Sequence, residues 1–190
     1  MGRPKAWLPF GDEVLLQRVV RILGEVTTPI AVVAGPDQEL PPLPEYVLVT
    51  RDPSPGRGPL QGIAGGLQAV APHADVAYVS SCDTPFLQPN FVRVVIRAVR
   101  DHDVAIPVVD GFHQTLAAAY RTSILPYVVA LLAADRLRPF FLFEQVDTRE
   151  LTADELRPAD ADLNSLRNIN TPRAYEDALR EFETTRRKNV

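Results

Sequence analysis

Apolar residues in this chain form two patterns, short continuous runs and longer segments at helical spacing. The continuous runs predict strands at residues 29–35, 46–50, 75–81, 104–109, 115–119 and 145–149. Helical spacing predicts helices at residues 14–23, 62–70, 89–100, 124–134, 140–144 and 171–184. Asp12 suits the N-cap of the first helix, and Gly24 suits its end. Because strands alternate with helices, we predict a single α/β domain over residues 1–190, with a three-layer, mostly parallel sheet.

Composition limits the classes of function that the chain can have. Its 190 residues suit one domain, and 46% hydrophobic and 23% charged residues are ordinary for a globular protein. A net charge of −4 gives no general attraction to nucleic acid or anionic membranes, so we expect neither as a partner. Cys82 is the only cysteine, which excludes an intrachain disulfide and disfavours a cysteine-based zinc site. No apolar run approaches the roughly 20 residues that span a bilayer, and no signal-peptide pattern opens the chain, so we expect a cytoplasmic enzyme.

Polar residues follow two of the predicted strands. Thr50-Arg51-Asp52 comes after one strand, and Ser81-Cys82-Asp83 comes after another. In open α/β sheets, ligands bind outside the carboxyl ends of the strands. The pattern alone therefore predicts a ligand site that includes Asp52 and Asp83.

A lysine lies just ahead of the first predicted helix, in the segment Met1-Gly2-Arg3-Pro4-Lys5-Ala6-Trp7-Leu8-Pro9-Phe10-Gly11. A lysine there can meet the phosphates of a triphosphate, although an isolated lysine is far more often a solvated surface residue. The whole segment resembles the second half of a signature found in the nucleotidyltransferase family of the molybdenum cofactor guanylyltransferases. The first half of that signature, a strand and a glycine-rich phosphate loop, is not in this sequence. We therefore expect the chain as given to be a poor catalyst.

Asp52 is followed by Gly58-Pro59-Leu60-Gln61-Gly62, with Gly62 expected to open a helix. A lone glycine-rich loop is usually only a turn. This run, however, resembles the family segment that lies against the guanine and the nucleotide sugar. The resemblance implies nucleotide-binding roles for Lys5, Asp52, Gly58, Pro59, Leu60 and Gly62.

The sharpest internal motif is Cys82-Asp83-Thr84-Pro85-Phe86-Leu87. An aspartate at a strand end can present oxygen ligands to Mg²⁺ beside a triphosphate, or it can simply cap a turn. The motif is similar to the family's Cys-Asp-x-Pro-Phe-Leu. That resemblance implies that Asp83 is the metal ligand and acts with Lys5 in catalysis. Cys82 is interpreted as a structural residue at the end of a buried strand.

Two further segments resemble the acceptor side of the family. The segment from His113 to Tyr120 is similar to a Gln-Pro-Leu-x-Ala-x-Tyr pattern, with Thr115 where proline is usual. His113 itself suits either an acceptor phosphate or a turn. Asn168-Ile169-Asn170-Thr171-Pro172 precedes the last helix, where Thr171 and Pro172 form a good N-cap pair. The resemblance implies acceptor-side roles for Gln114, Asn168 and Asn170, with the two asparagines near either the metal or the acceptor.

Taken together, the resemblance implies a Rossmann-like (GT-A-like) nucleotidyltransferase fold with a mixed, mostly parallel sheet. The implied reaction is transfer of GMP from GTP to the terminal phosphate of molybdopterin or the molybdenum cofactor, with Mg²⁺ and release of pyrophosphate. Proteins related to the molybdenum cofactor are further expected partners. Two alternatives stay open: a cytidylyltransferase or another enzyme with a phosphorylated acceptor, and a non-catalytic protein that binds molybdopterin or a partner enzyme.

Overall fold

The computed structural model describes residues 4–52, 54 and 56–188. Met1, Gly2 and Arg3 of the N-terminal motif lie outside the described residues. Within the described ranges the strands are β1 (Pro9–Phe10), β2 (Glu13–Val14), β3 (Ile30–Ala34), β4 (Val47–Arg51), β5 (Val76–Ser80), β6 (Val104–Val109), β7 (Phe112–His113), β8 (Ala117–Arg121) and β9 (Thr148–Thr152). The α-helices are α1 (Leu15–Gly24), α2 (Pro59–Val70), α3 (Pro89–Val99), α4 (Leu125–Ala133), α5 (Phe140–Phe143), α6 (Ala153–Leu156) and α7 (Pro172–Lys188).

The largest sheet has the order β5-β8-β6-β7, with β9 on the other side of β6. Strands β5, β6 and β9 run in one direction, and β7 and β8 run in the opposite direction. The reversal follows a hairpin at Asp110 and Gly111, which both have positive φ. The predicted mixed sheet is confirmed, and its antiparallel pairings come from β7 and β8. Because β8 inserts between β5 and β6, it pairs antiparallel with both neighbours.

Strands β3 and β4 form a separate two-stranded parallel sheet, with Ile30 opposite Val47 and Ala34 opposite Arg51. Short strands β1 and β2 form an antiparallel hairpin that the hydrophobic pattern did not predict.

Helices cover both faces of the large sheet, which gives the predicted three layers. Val104 and Ile106 pack on one face against α2 and α4, whereas Ala105 between them packs on the other face against α3. This alternation follows from the two-residue period of side chains along a strand. In the described part of the chain, no helix is both long and apolar enough to cross a membrane.

Element boundaries differ from the predictions at several points. Helix α2 begins at Pro59 rather than Gly62, because proline is favoured in the first turn. Asp12 does not cap α1; its carboxylate pairs with Arg186 at 2.7 Å, and the N-cap position belongs to Val14. Strands β8 and β9 begin two and three residues later than predicted. Thr171 does cap α7, since its hydroxyl accepts the Ala174 amide at 3.1 Å.

Candidate active site

Asp83 lies three residues beyond the carboxyl end of β5 and is buried, with 3% of its surface exposed. Its Oδ1 atom accepts a hydrogen bond from the Ser81 hydroxyl. Its Oδ2 atom lies 2.6 Å from the Lys5 ammonium. The Asp83 carbonyl accepts the Ile169 amide at 2.9 Å, which ties the loop before α7 to the end of β5. A buried carboxylate needs such partners, because burial without them is costly.

Lys5 joins two of the predicted site residues that are distant in sequence. Its Nζ atom donates to Asp83 Oδ2 at 2.6 Å and to Asn170 Oδ1 at 2.5 Å, across 78 and 165 positions of the chain. The structure therefore gathers Lys5, Asp83 and Asn170 into one cluster at the carboxyl end of β5. Two oxygen atoms from different segments converge on a single positive charge.

That oxygen pair fits a divalent cation of the Mg²⁺ type. Mg²⁺ is usually held by one or two carboxylates together with substrate phosphates and waters, rather than by an all-protein cage. Asp83 supplies one carboxylate and Asn170 supplies an amide oxygen, and both are bonded to the Lys5 ammonium. Within residues 4–52, 54 and 56–188, no group of three or more His, Cys, Asp or Glu residues could hold a metal ion. At this cluster, waters and substrate oxygens would complete the coordination of a bound Mg²⁺.

Asp52 directly follows β4, and its carboxylate forms a hydrogen bond within the same loop. Its Oδ1 atom accepts the Ser54 amide at 2.8 Å, which is an Asx turn. Its own amide donates to the Ala34 carbonyl at 2.7 Å and extends the pairing of β3 with β4. This turn accounts for one carboxylate oxygen of Asp52.

The first turn of α2 offers main-chain amide groups that no side chain caps. Gly58 at the N-cap has φ of +75° and no side-chain cap, and Pro59 occupies the first turn. Uncapped amides at a helix N-terminus attract anions. A Cβ atom on Gly62 would meet nothing within 4 Å, so a ligand has room beside it. The side chain of Leu60 is fully buried in the core, so Leu60 offers a ligand only main-chain atoms.

Gln114 and Asn168 lie together in a second region. They line a cavity of about 160 Å³ with His113 and Leu166. Gln114 and Leu166 also line a neighbouring cavity of about 460 Å³, which includes Arg167 and the exposed ring of Phe112. Asn170 lies apart from Asn168 and belongs to the Lys5 and Asp83 cluster, on the metal side of the two positions that the resemblance implies for the asparagines.

His113 keeps both of its sequence interpretations. Its Nε2 atom lies 2.8 Å from Glu150 Oε1, and its ring packs on Phe143 at 5.1 Å between centroids. These contacts account for the residue structurally. It also lines the smaller cavity beside Gln114, where a ligand could reach it.

Cys82 fits the structural interpretation. It packs against the cluster of apolar residues around α1 and β3. Burial raises the pKa of its thiol, and the adjacent Asp83 carboxylate raises this pKa further. A thiol in these surroundings is a poor nucleophile at neutral pH.

Sequence reasoning missed Arg18 as a support for the site. Its guanidinium donates to the Pro85 carbonyl at 2.6 Å and lies over the rings of Phe10 and Phe182. Arg18 therefore connects α1 and α7 to the loop that carries Asp83. No local signal could have shown this, because the partners are distant in sequence. Ser81 stood within the strand-end motif, but its bond to Asp83 was not predicted.

Comparison with known proteins agrees with this architecture. The family model described as "MobA-like NTP transferase domain" matches residues 1–148. A "Probable molybdenum cofactor guanylyltransferase" from Mycobacterium tuberculosis is 36% identical over 177 residues, which cover 90% of this chain and 86% of the relative. A protein of the same name from Carboxydothermus hydrogenoformans is 30% identical over 183 residues, covering 96% and 90%.

Solved structures share the fold at lower identity. Molybdopterin-guanine dinucleotide biosynthesis protein A from Archaeoglobus fulgidus superposes with a TM-score of 0.79 at 20% identity, covering 96% of this chain and 92% of its own. The 2-C-methyl-D-erythritol 4-phosphate cytidylyltransferase from Thermus thermophilus gives 0.72 at 17% identity, covering 95% and 94%. The fold is therefore that of an α/β nucleotidyltransferase. With the family model and the relatives added, the chain belongs to the MobA-like NTP transferase family.

Proposed function

We propose that this protein transfers GMP from GTP to the terminal phosphate of molybdopterin or the molybdenum cofactor and releases pyrophosphate. The main support is the convergence of Lys5, Asp83 and Asn170 at the carboxyl end of β5. Family membership and the names of its relatives supply the substrates. The proposal includes a cytoplasmic location and contacts with proteins related to the molybdenum cofactor.

Asp83 and Asn170 are the proposed protein ligands of Mg²⁺, through Oδ2 and Oδ1. Bound there with the triphosphate, Mg²⁺ would offset the charge that builds on the phosphate oxygens during transfer. The Ser81 hydroxyl and the Ile169 amide hold Asp83 in place. A manganese complex of a mycobacterial protein with a TM-score of 0.63 and 16% identity shares the fold.

Lys5 has two proposed positions. Without nucleotide its ammonium neutralises the Asp83 carboxylate at 2.6 Å. With Mg²⁺ held by Asp83 and Asn170, the Lys5 ammonium would be free to pair with the nucleotide phosphates. The side chain is 35% exposed, so this movement requires no rearrangement of the core.

The transfer step needs positioning more than covalent catalysis. An oxygen of the acceptor phosphate attacks the α-phosphorus of GTP in line, and the new P–O bond forms as the bond to the pyrophosphate oxygen breaks. The acceptor phosphate is already a nucleophile, so no enzyme intermediate is required. The work of the protein is to align the two phosphates and to neutralise their charge.

The two substrates are assigned to different parts of the site. Asp52 and the start of α2 are proposed to hold the nucleoside, with the Asp52 carboxylate accepting from the N1–H and N2 amine of guanine. Gly58, Pro59, Leu60 and Gly62 would contribute main-chain contact to the nucleotide. The acceptor is assigned to the two cavities that share Gln114 and Leu166, with Asn168 on their edge.

Calorimetric titration with GTP, CTP and ATP, each with Mg²⁺, tests the nucleotide assignment. In these titrations we expect GTP to bind most tightly. In an assay of pyrophosphate release, we expect the product only when molybdopterin is added. Binding of CTP as tight as GTP, or tighter, would rule out guanine. A protein that binds molybdopterin but no nucleotide would instead be a non-catalytic binder.

A further inference from the structure

Arg167 lies on the wall of the larger of the two cavities that share Gln114 and Leu166. Among the described residues that line either cavity, it is the only arginine or lysine. The proposed acceptor ends in a phosphate, and a phosphate that leaves water needs a cation or several strong hydrogen-bond donors. Arg167 is therefore the residue of these walls that is best suited to an anion.

The Arg167 side chain also borders the loop that carries Asp83. Its guanidinium lies over the Phe86 ring, with the central carbon 4.7 Å from the ring centroid. Phe86 is in the same loop as Asp83, three residues further along the chain. Arg167 thus contacts both the acceptor cavity and the loop of the proposed metal ligand. The acceptor phosphate has to lie near both if it is to attack GTP beside the metal.

The main chain is fixed on both sides of Arg167. Two residues before it, the buried Ser165 hydroxyl accepts the Gln88 amide at 3.0 Å. Two residues after it, the Ile169 amide donates to the Asp83 carbonyl at 2.9 Å. Both bonds reach the segment from Asp83 to Gln88, so the position of Arg167 relative to the metal cluster is set by bonds to the main chain. Binding groups that are held in this way are pre-organised for a ligand.

The Arg167 guanidinium has donors available for a further acceptor. In the part of the chain that the structure describes, its one hydrogen-bond partner is the Glu181 carboxylate of α7, which Nη1 reaches at 2.6 Å. A guanidinium carries five N–H donors in a planar fork that matches the geometry of a phosphate. The two side chains are 36% and 44% exposed, so a ligand can reach this pair.

Two carboxylates line the same cavity and bear on where an anion can lie. Asp110 and Asp162 would repel a phosphate placed beside them. Asp110 lies in the turn after β6, and β8 separates β6 from β5 and the Asp83 loop. The cavity therefore has a cation at the Asp83 loop and a carboxylate on the β6–β7 hairpin. A molecule with a phosphate at one end and the N–H donors of a pterin ring at the other matches this distribution of charge.

We propose that Arg167 binds the terminal phosphate of the acceptor and holds it in line with the α-phosphorus of GTP. This inference rests on the proposed function, which supplies the phosphorylated acceptor. Arg167 would donate two parallel hydrogen bonds to the phosphate oxygens. Its charge would also offset the repulsion between the acceptor phosphate and the triphosphate. Glu181 is then a competitor for the same guanidinium.

Arg167→Gln tests the inference by acceptor binding and by kinetics. When molybdopterin is titrated into the protein without nucleotide, its affinity should fall by about 10- to 100-fold. The KM for molybdopterin should rise by a similar factor, whereas kcat should change less, because the bond forms before the transition state. The affinity for GTP should not change, which also shows that the fold is intact. Arg167→Lys should retain part of the acceptor affinity, because it keeps the charge but loses the planar fork.

Glu181→Gln separates phosphate binding from a purely structural ion pair. Without the competing carboxylate, acceptor affinity should stay the same or rise by up to about 5-fold, the value of an exposed ion pair. If Arg167 only fastened α7, Glu181→Gln would weaken acceptor binding as much as Arg167→Gln does. Arg180→Gln is the matched control, because Arg180 is the neighbouring exposed arginine of α7 and pairs with Asp177.

Unchanged molybdopterin affinity and KM in Arg167→Gln would overturn the inference, and so would an equal loss in Glu181→Gln. If the unmodified chain binds molybdopterin in an Arg167-dependent way but releases no pyrophosphate, the inference stands and the proposed transfer fails. If transfer proceeds and Arg167→Gln does not affect it, the transfer stands and the inference fails. An unmodified chain that does not bind molybdopterin would overturn both.

Discussion

Asp52 and Asp83 carry the same sequence signal, an aspartate that follows a buried strand, yet the fold uses them differently. Asp52 holds a local turn through Ser54, two residues away. Asp83 is buried, and its Oδ2 atom meets Lys5, which is 78 positions away. The difference teaches that the strand-end pattern locates the edge of the site. Whether such a carboxylate is paired with a distant group depends on segments from elsewhere in the chain, as Lys5 shows for Asp83.

The largest expected effect comes from Asp83→Asn. The change keeps the shape of the side chain but removes the charge that a cation would need, so metal-dependent guanylyl transfer should fall on the order of 1,000-fold. Pyrophosphate release and GTP titration with Mg²⁺ measure it. Asp103→Asn is the matched control. Asp103 directly precedes β6, and its carboxylate accepts the Asp147 amide there, away from the Asp83 cluster. Near-normal turnover with unchanged Mg²⁺ dependence would leave Asp83 with a structural role only.

Lys5→Met should have the next largest effect. It removes the charge-assisted bonds to Asp83 and Asn170 and the proposed phosphate contact. GTP affinity should fall by about 10- to 100-fold, the value of one charge-assisted bond. Lys5→Arg should retain part of that affinity, because it keeps the charge. If Lys5→Met bound GTP normally in titration, the ammonium would serve only to neutralise Asp83.

Asp52→Asn tests the other half of the comparison. Asparagine can still accept the Ser54 amide, so the turn and the stability of the fold should remain. It cannot accept both guanine donors as a carboxylate does, so GTP affinity should fall by about 10-fold while CTP affinity stays unchanged. Asp37→Asn, in the exposed loop after β3, is the control. An equal loss for both nucleotides would contradict a role in base selection.

The comparison also shows how much of the structure could be predicted from the sequence. Strands β3 to β6 and most helices were predicted because each reads as a local pattern. Motif resemblance singled out Lys5 and Asp83 separately, and the structure places their side chains 2.6 Å apart. The insertion of β8 between β5 and β6 could not be predicted, because strand order depends on pairing between distant segments. The same limit hid Arg18 and its bond to Pro85.

Glu13→Gln should have the smallest effect. It tests a third carboxylate, which is held by two charged neighbours, whereas Asp52 is held by a turn. Glu13 lies 2.8 Å from Arg21 and 3.1 Å from Arg18, the residue that supports the Asp83 loop. Burial acts to raise the pKa of Glu13, but the hydrogen bond and charge of Arg21, with those of Arg18, outweigh it. The folded-state pKa is therefore below the ordinary value of 4.5.

A depressed carboxylate pKa stabilises the fold above the unfolded value, and this contribution is lost as the pH falls through the folded value. Glu13→Gln should therefore cost about 1 kcal/mol or less in free energy of unfolding at pH 7. The difference from the unmodified chain should shrink progressively below pH 4.5. Urea unfolding at neutral and acidic pH measures it, with Glu25→Gln as the control for a more exposed pair with Arg21. An equal cost at both pH values would mean that Glu13 acts through hydrogen bonding or packing. The charge of Glu13 would then not be what holds Arg18 against the Asp83 loop.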